Sequence, residues 1–346
     1  MIWLTWRQFR TQASVIFAVA IGFAAVLAIT GPQLLDDYRA SGVDFLAQAS
    51  ADTVDKSLYV VAIAVLYALP AIVGAFWGAP MVARELEGGT HRLVWNQTIT
   101  RTRWLGSKLG LVGLAAVASA SLLSLAVSWW SSPIDQAIED GGSGGFLIAP
   151  RLEPLIFGAR GIVPIGYTVF AFALGVTLGL LVRRSVPALA ITLALVVAVQ
   201  IVMPVVVRAH LLSPAQVTTT ITTENLKGLM GKSSAVDDSD GRIDRLTVEI
   251  NQPDAWVISN RTVDASGAIV TAFPAWTGDC IGPRRGSDPK RDACFTRLTD
   301  AGYRQLVTYQ PGSRLWPLQW IETAILLALA ALLSGFCFCR IKRDIT

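Results

Sequence analysis

Six apolar stretches, each about as long as a membrane-spanning helix, constrain the fold of this chain more than any other feature of its sequence. A helix needs about 20 predominantly apolar residues to cross the hydrocarbon core of a bilayer. Windows of that length lie at residues 13–32, 58–80, 108–130, 161–182, 186–207 and 317–339. The sequence therefore predicts an all-α polytopic membrane protein with six transmembrane helices, which we call spans one to six.

The composition agrees with an integral membrane protein. Charged residues make up 16% of the 346 residues, whereas soluble domains usually carry about 25%. The mean hydropathy is +0.51. The formal net charge of +4 is modest and unevenly spread, which argues against nucleic acid as a partner. The first window follows an aromatic and basic start, "MIWLTWRQFR", so we expect a retained span rather than a signal peptide.

The positions of Lys and Arg predict the orientation, because loops rich in these residues stay in the cytoplasm. Basic clusters precede span one, fill the loop between spans two and three, link spans four and five, and follow span six. All four lie on one side, so we predict a multi-pass protein of the cell membrane with both termini cytoplasmic. The alternate loops are acidic, and the pattern is expected to have no exception. The clusters are Arg7 with Arg10, Arg84 to Lys108, Arg183 with Arg184, and Arg340, Lys342 and Arg343.

Residues 208–316 differ in composition from the rest of the chain. The segment is rich in polar residues, and "RLTVEI" and "AWVIS" partly alternate as half-buried strands do. We predict a small β or α/β extracytoplasmic domain between spans five and six, followed by span six and a basic cytoplasmic tail at 317–346. An oxidising compartment permits a disulfide between Cys280 and Cys294, which we favour over the alternative of two free thiols.

The chain offers no arrangement of residues suited to catalysis or metal binding. His91 and His210 are the only histidines and are predicted on opposite sides of the membrane, which excludes a histidine pair. Cys337 and Cys339 lack further nearby ligands, so we interpret them as packing residues. "GLMGKSS" ends like a phosphate-binding loop, but Leu226 occupies the place of the required first glycine. We predict no enzyme activity, no metal and no cofactor bound by this chain.

The stretch between spans two and three is longer and more charged than a connecting turn requires. It reads "MVARELEGGTHRLVWNQTITRTRWLGSK", with helix-forming residues from Ala83 to Glu87, a break at Gly88-Gly89, and a second segment from Thr90. These features predict a short helix parallel to the membrane that offers its charges to the cytosol. The alternative is a basic loop that the orientation rule alone explains.

This stretch resembles a motif of the type-2 ABC exporter permeases, the six-span subunits related to the G-type transporters. Their pattern is Arg-Glu-x-Glu, then Gly-Thr, then a Ser/Thr-Arg pair, then a Lys that enters span three. The start "MIWLTWRQFRTQ" and the final "YQPGSRLWPLQWIETAILLALAALLSGFCF" are similar to an actinobacterial branch of the family. The matching residues here are Arg84 to Glu87, Gly89-Thr90, Thr100-Arg101 and Lys108.

The resemblance implies a permease without its own ATPase site. Residues 13–207 would hold spans one to five, and residues 81–107 would be the coupling segment that docks onto a separate ABC ATP-binding subunit. ATP and Mg would bind to that subunit, present in two copies, and a second copy of this chain or a related permease would complete the pathway. The substrate would be hydrophobic or amphipathic and would move outward by alternating access. The implied coupling residues are Arg84, Glu85, Glu87, Gly88, Gly89, Thr90 and Arg101.

The resemblance also implies an amphipathic interfacial helix at residues 1–12. Its Trp3, Trp6 and Phe9 would lie in the membrane interface, while Arg7 and Arg10 would meet lipid phosphate.

Three polar residues at membrane depth are candidates for the pathway. They are Gln200 in span five and Gln319 and Glu322 in span six, the last two on one helix face. Polar groups in spans tend to face the protein interior or a water-filled cavity. The alternative, held equally open, is that Gln319 and Glu322 meet lipid headgroups.

Two functions of other classes stay open at this point. One is a non-transporting sensor or immunity component whose outer domain binds a peptide or lipid. The other is a membrane anchor for the outer domain, which would have no use for the charged stretch between spans two and three.

Overall fold

The computed structural model describes residues 2–89, 100–140, 149–232, 242–252, 254–280 and 289–343. The chain divides into two compact units. The first, which we call the membrane unit, comprises Met1–Leu212 and Ser313–Thr346, and the second comprises Ser213–Gly312.

Within the described residues, six helices are long and apolar enough to cross a membrane, which confirms the predicted number. We call them helices 1 to 6. Helices 2 and 5 each contain a π-helical stretch, at Val73–Gly78 and Met203–Val207. Short helices occupy Phe45–Ala51, Ser132–Glu139 and Pro154–Phe157. The six membrane helices are Phe9–Ser41, Thr53–Glu87, Arg101–Trp130, Val163–Val182, Ser185–Leu211 and Gly312–Arg343.

Helix 1 differs from the sequence prediction at its start. One unbroken helix runs from Ile2 to Ser41, so the expected boundary after residue 12 is absent. Phe9 is buried and its ring meets the Trp77 ring edge-on, with 4.6 Å between centroids. Phe9 therefore packs against the protein and not against lipid, and its depth in the membrane stays a prediction. Trp3, Trp6, Arg7 and Arg10 are exposed on the same helix.

Helix 4 is the most buried of the six and packs against helices 2, 3, 5 and 6. Glycines bring its backbone unusually close to helix 2. A Cβ at Gly74 or at Gly78 would lie 2.7 Å from a carbonyl oxygen of helix 4, and a Cβ at Gly175 would lie 2.9 Å from the Ala79 nitrogen. Two facing Gly-x-x-x-Gly pairs, Gly74/Gly78 and Gly175/Gly179, thus form the contact, as small residues do between membrane helices.

The second unit contains two small antiparallel sheets. Strands β1 (Ala215–Thr219), β5 (Arg304–Gln310) and β4 (Trp256–Val263) form one sheet in the order β1-β5-β4. Strands β2 (Leu226–Lys232) and β3 (Arg242–Val248) form a hairpin. A helix at Pro289–Asp300 packs beside them, and a disulfide joins Cys280 to the helix residue Cys294, with Cα atoms 5.4 Å apart. The side of the membrane on which this unit lies stays a prediction.

Candidate functional site

The first candidate site is the end of the membrane unit where helix 2 ends and helix 3 begins, which we call the basic end. Helix 2 continues without a break to Glu87, so Ala83–Glu87 forms its last turns rather than a separate helix along the membrane. The reason is that Val82 and Ala83 are fully buried and keep the chain packed in the bundle. Gly88 ends the helix, and Gly89 has a φ of +68°, which favours glycine.

The remainder of the coupling segment begins again at helix 3. Residues 90–99, including Thr90, lie outside the described residues. Thr100 caps helix 3, since its hydroxyl accepts a hydrogen bond of 3.4 Å from the Arg103 backbone nitrogen. Arg101 is therefore the first residue of helix 3 and lies at the basic end.

Glu85 forms an ion pair inside the membrane unit. Its carboxylate lies 2.5 Å from the Nζ of Lys108 in helix 3, and Lys108 also donates to the Met81 carbonyl oxygen at 3.4 Å. The ammonium lies 4.8 Å from the centroid of the Trp104 ring. Lys108 is only 4% exposed, so a carboxylate partner compensates its charge where water cannot. Glu85 thus joins helices 2 and 3.

Glu87 and Arg84 lie on the exposed part of the basic end. Glu87 accepts hydrogen bonds from the backbone nitrogen and the hydroxyl of Ser185, at 3.0 and 2.8 Å. Ser185 is the first residue of helix 5. Two residues before it, Arg183 ends helix 4 in a left-handed conformation (φ 57°). Two carboxylates therefore tie the end of helix 2 to both helix 3 and helix 5, and the Arg84 side chain is left at the surface.

The second candidate site is a buried ion pair at the end of helix 5 that lies opposite the basic end. Arg208 Nε lies 2.8 Å from one carboxylate oxygen of Glu322, and Arg208 Nη2 lies 3.0 Å from the other. The Tyr167 hydroxyl donates to Glu322 at 2.9 Å, and Arg208 also donates to the Pro154 carbonyl oxygen at 3.0 Å. The guanidinium carbon lies 4.0 Å from the centroid of the Phe157 ring. This bidentate pair joins helices 4, 5 and 6, and both of its members are fully buried.

The other two pathway candidates also bond to protein groups. Gln319 is 2% exposed; its side-chain oxygen accepts from the Ile162 nitrogen at 3.0 Å, and its nitrogen donates to the Arg160 carbonyl oxygen at 3.2 Å. Gln200 donates to the Tyr67 carbonyl oxygen of helix 2 at 2.9 Å. The burial of Gln319 and Glu322 contradicts the alternative that they meet lipid headgroups. That they line a pathway stays a prediction.

A third ion pair inside the membrane unit was not predicted from the sequence. Arg160 lies 3.5 Å from the Asp135 carboxylate and 3.5 Å from the Tyr59 hydroxyl, and it donates to the Val127 carbonyl oxygen at 3.3 Å. Arg160 and Arg208 both belong to the side that the orientation rule assigned to acidic loops, so the expectation of no exception is wrong. Each guanidinium has a carboxylate partner inside the protein. An arginine at the unexpected end of an apolar window was the signal that could have revealed them.

This architecture defines the class: a polytopic α-helical membrane protein whose polar side chains hold its helices together at two ends. Residues 17–208 match the family model described as ABC-2 membrane transporter related, a match that spans more than half of the chain and includes helices 2 to 4 entirely. The chain belongs to this family and is an ABC-2 type permease, which confirms the resemblance drawn from the sequence. Such permeases are membrane components of ABC transport and associate with an ABC ATP-binding subunit. No curated protein and no solved structure matches the chain.

Proposed function

We propose that this chain is the transmembrane subunit of an ATP-driven exporter that moves a hydrophobic or amphipathic substrate outward by alternating access. Both termini and the basic end face the cytoplasm, and the second unit lies outside the cell membrane. ATP and Mg bind to two copies of a separate ATP-binding subunit, and a second copy of this chain or a related permease encloses the pathway. Trp3, Trp6, Arg7 and Arg10 contact the lipid interface at the start of helix 1. Family membership supports a role in transport, and the positions of Lys and Arg support the orientation.

One observation carries the coupling role: the basic end holds three helices together. Glu85 binds Lys108 of helix 3, and Glu87 binds Ser185 of helix 5, so a displacement of the end of helix 2 also moves helices 3 and 5. A partner that pushes on this end can therefore drive the rigid-body rocking that alternating access needs. The exposed Arg84, with Gly88 and Gly89 after it and Arg101 at the start of helix 3, supplies the surface for the ATP-binding subunit, and Thr90 is proposed to belong to it. Glu85 and Glu87 transmit the displacement to the neighbouring helices.

The opposite end supplies the outward gate in this proposal. Arg208 and Glu322 close helices 4, 5 and 6 onto one another. Gln319 adds a contact to the segment before helix 4, and Gln200 adds a contact to helix 2. Outward opening requires these polar groups to exchange their protein partners for water or for polar groups of the substrate. They would then line the open pathway, which is how buried polar groups in membrane helices commonly serve transport.

The experiment is an affinity pull-down of the tagged chain from membranes of cells that express the native complex. Arg84→Glu reverses a charge at the proposed docking surface without breaking the Glu85–Lys108 pair. Like charges placed opposite each other at an interface cost several kcal/mol, so we expect the ATP-binding subunit to be lost from the purified complex. The matched control is Arg39→Glu, which reverses an exposed charge in the last turn of helix 1, away from the proposed docking surface. It should leave the complex intact. A complex that survives Arg84→Glu would exclude docking at this surface.

Transport itself is tested separately from ATPase binding. The purified complex in inverted vesicles should take up an amphipathic fluorescent dye only with ATP and Mg in the medium. A sensor built on the same family fold would bind the ATP-binding subunit and move nothing. ATP hydrolysis without uptake of any of a panel of drugs, lipids and peptides would therefore favour the sensor over the exporter.

A further inference from the structure

Within the described residues, a groove in the second unit lies apart from the two sites above. Its volume is about 410 Å³, and it runs between strands β3 and β4. It is lined by Arg245 and Thr247 from β3 and by the consecutive residues 257–261 of β4. Consecutive lining residues mean that the edge of β4, and not only one of its faces, borders the groove, because alternate side chains of a strand point to opposite faces.

The groove exists because β3 and β4 are neighbours that do not pair as strands. β4 is the edge of the sheet β1-β5-β4, and β3 belongs to the separate hairpin. Side chains join them instead: Asn260 donates to the Val248 carbonyl oxygen at 2.7 Å, and Gln305 donates to the Leu246 carbonyl oxygen at 2.8 Å. Gln305 is fully buried and also bonds to Asn260 at 2.6 Å and to Thr262 at 2.8 Å. This network fixes the spacing of the two strands, so the groove is preformed.

The edge of β4 is available for pairing along the groove. Beyond the groove it is covered, since the Val270 nitrogen donates to the Thr262 carbonyl oxygen at 2.9 Å. Backbone groups two residues apart in a strand face the same way, so the backbone N–H and C=O of Asn260 face the same outer edge of β4 as the Thr262 carbonyl. In the described part of the chain, no further strand of this sheet pairs with β4 at Asn260. A bulge between Val257 and Ser259 bends the strand here, as bulges often do at binding sites.

The charge of the groove selects its ligand. Arg245 and Arg261 are exposed along it, and Thr247 and Ser259 add hydroxyl groups. Guanidinium groups bind carboxylates through two parallel hydrogen bonds, and an unpaired strand edge binds extended chain. We propose that this groove binds an extended peptide segment with acidic side chains, which pairs with the edge of β4 and places its carboxylates on Arg245 and Arg261. The site does not depend on the exporter proposal, because every observation behind it comes from the second unit alone.

The test uses the full-length chain in nanodiscs of zwitterionic lipid and measures fluorescence anisotropy of a labelled, capped octapeptide of alternating Val and Glu. We expect saturable binding that weakens at least about tenfold when Lys replaces Glu. The double variant Arg245→Ala/Arg261→Ala should weaken it similarly, whereas Arg304→Ala, an exposed arginine of β5 outside the groove, should not. The proposal fails if the acidic peptide does not bind. It also fails if the double variant Arg245→Ala/Arg261→Ala binds the peptide as well as Arg304→Ala does.

Two further arms separate strand pairing from simple charge attraction. Two versions of the acidic peptide carry N-methyl groups, one at the odd and one at the even positions. Only one version should lose binding, because the backbone N–H groups of a single edge of the peptide pair with β4. If both methylated peptides bind like the parent, the peptide does not pair with β4 and the proposal is wrong. Vesicles with anionic phosphatidylglycerol provide the last arm. If they bind through Arg245 and Arg261 while the peptide does not, the groove is a lipid site instead.

Discussion

Replacing Gly78 with alanine tests the close approach of helices 2 and 4. A Cβ at Gly78 would lie 2.7 Å from the Phe172 carbonyl oxygen and 3.2 Å from the Gly175 Cα, whereas ordinary contact begins at 3.4 Å. The two backbones must therefore separate by about 0.7 Å, the difference between the first and last of these distances. Both neighbouring atoms belong to helix backbone, so no side chain can rotate away to make room.

The cost follows from two opposing terms. Overpacking of a close-packed interior usually costs about 1–3 kcal/mol, while alanine is about 0.5–1 kcal/mol better than glycine inside a helix. The difference between these terms is about 0–2.5 kcal/mol. Because the neighbouring atoms are backbone, we expect Gly78→Ala to lower the free energy of unfolding by about 1–2 kcal/mol within that range. At about 2–4 °C per kcal/mol for a unit of this size, the Tm should fall by about 2–8 °C.

Thermal unfolding in detergent, followed by tryptophan fluorescence, measures this change, since the buried Trp77 is adjacent to Gly78. Gly22→Ala is the matched control, because a Cβ at this position of helix 1 meets no atom within 4 Å. Its Tm should stay the same or rise slightly. If both variants unfold at the same temperature, helices 2 and 4 are not in backbone contact and the glycine argument is refuted.

Three other changes test the ion pair, the disulfide and the orientation. Glu322→Ala should destabilise the membrane unit by about 3–5 kcal/mol by leaving the Arg208 charge buried without its partner, and a thermal unfolding curve like that of the parent would contradict this. Cys280→Ser with Cys294→Ser should lower the stability of the second unit by about 3 kcal/mol in denaturant unfolding without reductant; mass mapping that finds both thiols free in the parent would show there is no bridge. In a cysteine-free background, Thr90→Cys should resist an impermeant thiol reagent in intact cells, and labelling there would overturn the orientation.

The sequence predicted the helices well because membrane spans depend on composition over about 20 residues. It predicted their ends less well. The polar residues near the start of helix 1 do not break a helix, so the interfacial segment and the span form one element from Ile2 to Ser41. Helix 2 likewise continues to Glu87, where Gly88 supplies the first strong break.

Contacts between helices were harder to predict, because they depend on which faces meet. Gly74/Gly78 and Gly175/Gly179 have the spacing of close helix contacts, but spacing alone does not say that one pair faces the other. Glu85 and Lys108 are 23 residues apart in the chain and bind each other. The motif that contains both residues suggested an outward role for Glu85, and only the bundle geometry places its carboxylate against helix 3.

The polar contacts that helix 5 makes at its two ends differ in free energy, and this orders the steps of the proposed cycle. The Glu87–Ser185 contact is exposed, and exposed charged contacts contribute about 0–1 kcal/mol. Separating the buried Arg208–Glu322 pair leaves an uncompensated charge and costs about 3–5 kcal/mol. The basic end should therefore rearrange first, and the Arg208–Glu322 pair should hold helix 5 against helix 6 at the other end until later in the cycle. Opening of the end that holds the Arg208–Glu322 pair then needs a group that replaces the partners of Glu322. Water or a polar group of the substrate can replace them once the transport pathway reaches Glu322.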